Sequence, residues 1–112
     1  NQLGIIYSKI KNYEKAIEYY NKAITLNPKY SVLYSNRGNL NECLNSYEKA
    51  IKDYDQAIKL NPNDIENYRD RVLLRKKLGQ LEQAIEDCNK VIELDSLYKD
   101  EIDEIYNEII RL

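Results

Sequence analysis

The side chains with chemical potential in this 112-residue chain are its carboxylates, its basic residues and two cysteines. Asp53/Asp55 and Glu86/Asp87 are close carboxylate pairs of the kind that general acid–base catalysis uses. There is no histidine, which removes the commonest general base and the commonest metal ligand together. Cys43 and Cys88 are too few for a disulfide framework and too far apart for a C-x-x-C metal site. Nothing resembles a nucleophile with its base, a phosphate loop or a metal cluster. Both carboxylate pairs lie on amphipathic segments and read as solvated charge, so the expectation is no enzyme, no cofactor and no metal. Arg69, Lys76 and Lys77 share a helix face by their spacing, where they could receive an acidic side chain or a carboxylate.

The segments that carry these residues repeat. Ala16, Ala50 and Ala84 are 34 apart (50 − 16 and 84 − 50), as are Tyr20 and Tyr54, Pro28 and Pro62, and Leu26, Leu60 and Leu94. Self-similarity of this kind marks units that each leave an apolar face for a neighbour to cover. From Tyr13, the apolar positions Ala16, Ile17, Tyr20, Ala23 and Ile24 follow a helical period, and Tyr47–Leu60 and Leu81–Leu94 repeat it. Asn12 and Ser46 stand where N-caps belong, and Pro28 and Pro62 stop the helices that precede them.

Ser31–Leu44 and Ile65–Leu78 read as the partner helices, joined to the first set by tight turns at Lys11-Asn12, Asn45-Ser46 and Gly79-Gln80. The expectation is all-α: three antiparallel hairpins plus a final helix near Tyr98–Leu112, seven helices with the first one clipped, and no sheet. Gly4 and Gly38 are expected where two helices come closest, opposite Ala16 and Ala50; Val72 in the third unit implies a slightly wider or tilted hairpin. Cys88 takes the slot of Tyr20 and Tyr54 and reads as a small buried hydrophobe, with no Cys43–Cys88 bridge.

The bulk numbers agree with one domain. The charged fraction is 32% and the formal net charge −2. Residues 1–64 carry nine Lys/Arg against seven Asp/Glu, and residues 65–112 eight against twelve, a mild split of +2 and −4. With no basic stripe and no long apolar run, neither a nucleic acid nor a membrane is an expected partner. The chain has no methionine and opens mid-pattern at Asn1-Gln2-Leu3-Gly4, so it reads as a piece of a longer polypeptide, and its thiols suit a cytoplasmic setting.

These residues resemble the tetratricopeptide repeat, whose 34-residue pattern is W-x2-L-G-x2-Y, then A-x3-F, then P. The first unit offers Leu3-Gly4-x2-Tyr7, Ala16-x3-Tyr20 and Pro28; the second Tyr34-x2-Arg37-Gly38, Ala50-x3-Tyr54 and Pro62. The third is degenerate, with Tyr68-x2-Arg71-Val72, Ala84-x3-Cys88 and Ser96 in place of proline. The resemblance covers residues 1–96, as repeats of approximately 1–30, 31–64 and 65–98, with residues 97–112 similar to the helix that closes such arrays.

The resemblance implies an α-solenoid with a right-handed superhelix, whose concave groove is lined by the first helix of each hairpin. That geometry turns Ile5, Ser8 and Lys9 inward from the first unit, Val32, Ser35, Asn36, Asn39, Glu42 and Cys43 from the second, and Glu66, Arg69, Asp70, Leu73, Lys76 and Lys77 from the third. The groove residues expected to matter are Asn36, Asn39, Arg69, Leu73, Lys76 and Lys77, with Asn36 and Asn39 suited to a peptide backbone because each amide both donates and accepts. The implied function is a scaffold that binds a peptide segment of a partner protein; the alternative is a spacer or a module that self-associates through its ends. Some family members are co-chaperones that grip the C-terminal carboxylate of heat-shock chaperones with a Lys, two Asn and two basic residues. Here Asn1 stands for the Lys, Ile5 for the first Asn, Asn36 matches the second, and Glu66 and Asp70 occupy the basic places. Two reversed charges would repel a carboxylate, so that clamp is not expected.

Overall fold

A computed structural model describes the backbone of residues 2–111 and the side chains of residues 9–111. The chain falls into two compact units, Asn1–Asn61 and Pro62–Leu112. The first holds α1 (Gln2–Leu26), α2 (Ser31–Cys43) and α3 (Tyr47–Leu60). The second holds α4 (Ile65–Lys77), α5 (Leu81–Leu94), a 3₁₀ turn at Ser96–Tyr98 and α6 (Lys99–Ile110). Among the described residues there is no strand, as expected.

The hairpins α2–α3 and α4–α5 are built alike because their turns solve one problem alike. After α2, Asn45 takes a left-handed φ of 59°, and Ser46 N–H donates to Asn41 C=O at 2.8 Å. After α4, Gly79 takes φ 78°, and Gln80 N–H donates to Arg75 C=O at 2.8 Å. Both turns satisfy carbonyls that a helix end leaves open, and both use a residue that tolerates positive φ. Ser46 stands at the N-cap of α3 without a side-chain cap bond, whereas Asp64 caps α4 by accepting from Glu66 N–H at 3.1 Å.

The expected turn at Lys11-Asn12 does not form, and α1 runs 25 residues without a break. The position 34 before Asn45, and 68 before Gly79, is Lys11. A lysine at left-handed φ costs roughly 1–2 kcal/mol, a strain that a helical φ avoids. Asn12, expected as an N-cap, therefore lies inside α1, and among the described residues six α-helices replace the expected seven.

Straightness has a price in burial. Ala50, Tyr54 and Ala57 on α3, and Ala84, Cys88 and Val91 on α5, are all 0% exposed. Their register mates on α1, Ala16, Tyr20 and Ala23, are only half-buried.

The nearest atoms that a side chain at Gly38 would meet belong to the Tyr54 ring: a Cβ there would stand 2.7 Å from Tyr54 Cε1. The corresponding surroundings of Gly4 lie outside the described residues. In the second unit Val72 and Cys88 hold the places of Gly38 and Tyr54, and both are fully buried. Volume added on one helix is removed from the other. Asn27 and Asn61 end α1 and α3 directly before Pro28 and Pro62. On α6, Ile102 and Ile109 are buried and Ile110 is exposed.

Candidate functional site

Each two-helix hairpin carries a buried carboxylate bracketed by arginine. In the first unit Asp53 on α3 accepts from Arg37 Nε at 3.0 Å, Arg37 Nη2 at 2.6 Å and Asn41 Nδ2 at 3.0 Å, all from α2. In the second, Asp87 on α5 accepts from Arg71 Nε at 2.8 Å, Arg71 Nη2 at 2.6 Å and Arg75 Nη1 at 2.9 Å, all from α4. Asp53 and Asp87 are buried, which corrects the reading of both as solvated charge. With three donor atoms of the partner helix fixed on each buried carboxylate, these brackets tie the two helices of each hairpin together. The pairing also raises the Arg37 pKa above its ordinary value, the Asp53 hydrogen bond outweighing the opposing effect of burial. The signal was present in the chain as Arg and Asp sixteen apart, recurring after 34 residues.

On α4 the expected basic face meets acid from α6. Arg69 pairs with Glu101, Lys76 pairs with Glu108, and both couples are 32 residues apart in sequence. Equal offsets on two helices mean that α4 and α6 run parallel and in register through the two contacts. Arg69 also pairs with Glu66 at 2.8 Å and lies 5.1 Å from the centre of the Tyr98 ring. Its pKa is raised, first by the bond to Glu101. Hydrogen bonding to Lys76 holds Glu108 below the usual carboxylate range. Leu73, between these two contacts, is 53% exposed, and Lys77 is also exposed.

In the first unit Asn36 and Asn39 share an open hollow of about 310 Å³ with Ala16, Tyr20, Leu40 and Cys43. The Tyr54 hydroxyl sits 2.6 Å from Asn39 Oδ1 and 2.7 Å from Glu42 Oε2, so Asn39 is held while remaining exposed. Asn36, Asn39, Val32 and Cys43 form one stripe on α2 by their spacing. The structure thus collects the expected residues within each unit, Asn36 with Asn39 and Arg69 with Leu73, Lys76 and Lys77. The side chains of Ile5 and Ser8 lie outside those described. Cys43 is exposed and Cys88 buried, both free; burial, and then the charge of Asp87, pushes the Cys88 thiol up to about 11. Among the described residues no group of His, Cys, Asp or Glu could hold a metal ion, and no helix is long and apolar enough to cross a membrane.

Comparison with known proteins places these hairpins. The tetratricopeptide repeat profile matches residues 1–30 and 31–64, and a second profile of the same description matches 71–96. No curated protein matches the chain in sequence. Among solved structures, the TPR2B domain of yeast Sti1, in complex with an Hsp70 peptide, is similar with a TM-score of 0.81 at 24% identity, over 96% of this chain and 90% of that one. The second TPR domain of human RPAP3, in complex with the HSP70 peptide SGPTIEEVD, reaches 0.78 at 30% identity over 96% and 89%. The first TPR of Spaghetti (RPAP3), bound to the HSP90 peptide SRMEEVD, reaches 0.77 at 28% identity over 97% and 89%.

Proposed function

The chain belongs to the tetratricopeptide repeat family, and we propose that it binds peptide segments of a partner protein through exposed residues of its helical units, on α2 in the first and on α4 in the second, without catalysis. The observation that carries this reading is a division of labour among the polar residues. Those that lock the hairpins, Arg37, Asn41, Asp53, Arg71, Arg75 and Asp87, are turned inward and engaged with one another. Those left outside, Asn36, Asn39 and Lys77, accompany exposed apolar side chains, Val32 at 41% and Leu73 at 53%. Amides beside apolar patches suit an extended peptide, whose backbone needs donors and acceptors and whose side chains need apolar contact.

The similar RPAP3 domains bind acidic chaperone tails, which supports a peptide as the ligand class. The acidic tail itself is disfavoured here, because Glu66 and Asp70 stand where the clamp is basic and because Arg69 and Lys76 are engaged by α6. In this reading residues 1–96 form the binding array, residues 97–112 close it, and the free thiols belong in a reducing, cytoplasmic setting.

Peptides selected from a phage-displayed linear library against the whole chain test the proposal. Asn36→Ala and Leu73→Ala are expected to weaken the selected peptides severalfold each while leaving the thermal unfolding curve in place. Unchanged affinity in both variants rules out these residues as contacts.

A further inference from the structure

We infer that the first unit reads a lysine of the bound peptide, its ammonium held by Asn39 and Glu42 of α2 and its stem laid along the apolar lining of the adjoining hollow. The inference rests on the peptide-binding reading and narrows it to ligands with a basic side chain at this point. The first observation is a count of hydrogens. Tyr54 Oη lies 2.6 Å from Asn39 Oδ1 and 2.7 Å from Glu42 Oε2, yet a hydroxyl carries one hydrogen. A bond to an ionised carboxylate is the stronger of the two, so the hydroxyl donates to Glu42. Asn39 then faces the lone pairs of Oη, which turns its Nδ2 to the hydroxyl as a donor and its Oδ1 outward. The two ends of an amide have the same shape, and the bonding decides between them. Tyr54 is fully buried and holds this arrangement from inside the hairpin.

The outward edge therefore presents acceptors: Asn39 Oδ1 and the Glu42 oxygen that Tyr54 leaves. The two residues are three apart on α2 and so are neighbours on one face. Glu42 is half-buried, and among the described residues no lysine or arginine pairs with it. A carboxylate partly withdrawn from water attracts a cation more strongly than one in bulk solvent. Asn39 also borders the hollow of about 310 Å³, whose apolar lining is Ala16, Tyr20 and Leu40. A lysine stem buries along such a surface while its head keeps polar company. Its ammonium brings three donors and no acceptor, which matches this edge. Arginine matches less well, because its fork takes both oxygens of a carboxylate and Tyr54 already holds one. The trio is not part of the framework that both hairpins share. The Arg–Asp brackets recur after 34 residues, whereas the register mates of Asn39, Glu42 and Tyr54 are Leu73, Lys76 and Cys88.

Peptides selected from the phage-displayed linear library against the whole chain are expected to share a lysine. In fluorescence anisotropy on the tightest of them, norleucine in place of that lysine is expected to weaken binding at least about fivefold, and arginine to weaken it less. Glu42→Gln keeps an acceptor for the Tyr54 hydroxyl and removes the charge, and is expected to abolish most of the difference between the lysine and norleucine peptides. Glu42→Lys is expected to reverse the preference, so that the peptide with glutamate in place of lysine binds better than its parent. If Asn36→Ala and Leu73→Ala both leave the selected peptides unaffected, the peptide-binding reading falls and this inference with it. If those variants weaken binding but the peptides share no lysine, the inference alone is overturned. A shared lysine whose replacement costs the same in Glu42→Gln as in the unaltered chain overturns it as well, since that lysine is then read elsewhere.

Discussion

At Gly38 the backbone of α2 approaches Tyr54 so closely that a single added carbon would sit 2.7 Å from the ring. The ring cannot swing aside freely, because its hydroxyl is engaged by Asn39 and Glu42. Alanine in place of a mid-helix glycine gains about 1 kcal/mol of helix propensity. Overpacking against a pinned ring costs about 1–3 kcal/mol, so Gly38→Ala is expected to lower stability by roughly 1 kcal/mol, read from the urea midpoint at constant slope. Gly38→Val should be worse, and Gly38→Val combined with Tyr54→Cys, which copies Val72 and Cys88, should recover at least half of that loss. Simple additivity of the two changes would mean that the volumes do not compensate. The buried brackets were harder to read in the chain than these packing residues. Hydropathy scores Arg37, Asp53, Arg71 and Asp87 as solvent-facing, and only their joint recurrence at the repeat period marks them as partners.

Helix boundaries were legible wherever the bend residue suited its task. α2 to α5 lie within a residue or so of their expected limits, because Asn45, Gly79, Pro28 and Pro62 act locally at known places. The turn at Lys11 was not legible from periodicity, since the apolar pattern on either side is blind to the φ preference of one residue. α6 shows the complementary case, an element whose apolar stripe was readable but whose ion pairs to α4, Arg69–Glu101 and Lys76–Glu108, were not. Lys76 holds Glu108 below the usual carboxylate range, and a depressed carboxylate stabilises the folded state above its unfolded value. That contribution is lost as pH falls through the depressed value, where Glu108 takes up a proton. Hydrogen exchange of residues 99–110, corrected for intrinsic rates, is therefore expected to accelerate a few-fold relative to α5 as the pH drops below the usual carboxylate range, and Glu108→Gln should abolish most of this difference.

For the molecule as a whole, fold and family were readable because a 34-residue period over three units leaves little choice of architecture. Ligand choice was less so, because it depends on which charges remain available after the chain has paired its own. Arg69 and Lys76 are drawn into contacts with α6, while residues 65–112 carry eight basic against twelve acidic groups. Against that background Glu66 and Asp70, at the places where chaperone-binding relatives carry basic residues, decide the outcome for acidic tails. Each like-charge approach at about 4 Å costs on the order of 1 kcal/mol even in water. Each charge-assisted hydrogen bond forgone loses about 1.5–3 kcal/mol more. Together they amount to several kcal/mol, so the peptides SRMEEVD and SGPTIEEVD, ligands of the two RPAP3 domains, are expected to bind this chain more weakly than about 1 mM. Replacing Glu66 and Asp70 together by lysine removes the repulsion and supplies two donors, and should strengthen binding at least about tenfold in fluorescence anisotropy, with the gain fading as salt is added. Tight binding of either peptide to the unaltered chain would show that acidic tails are read through other residues than these.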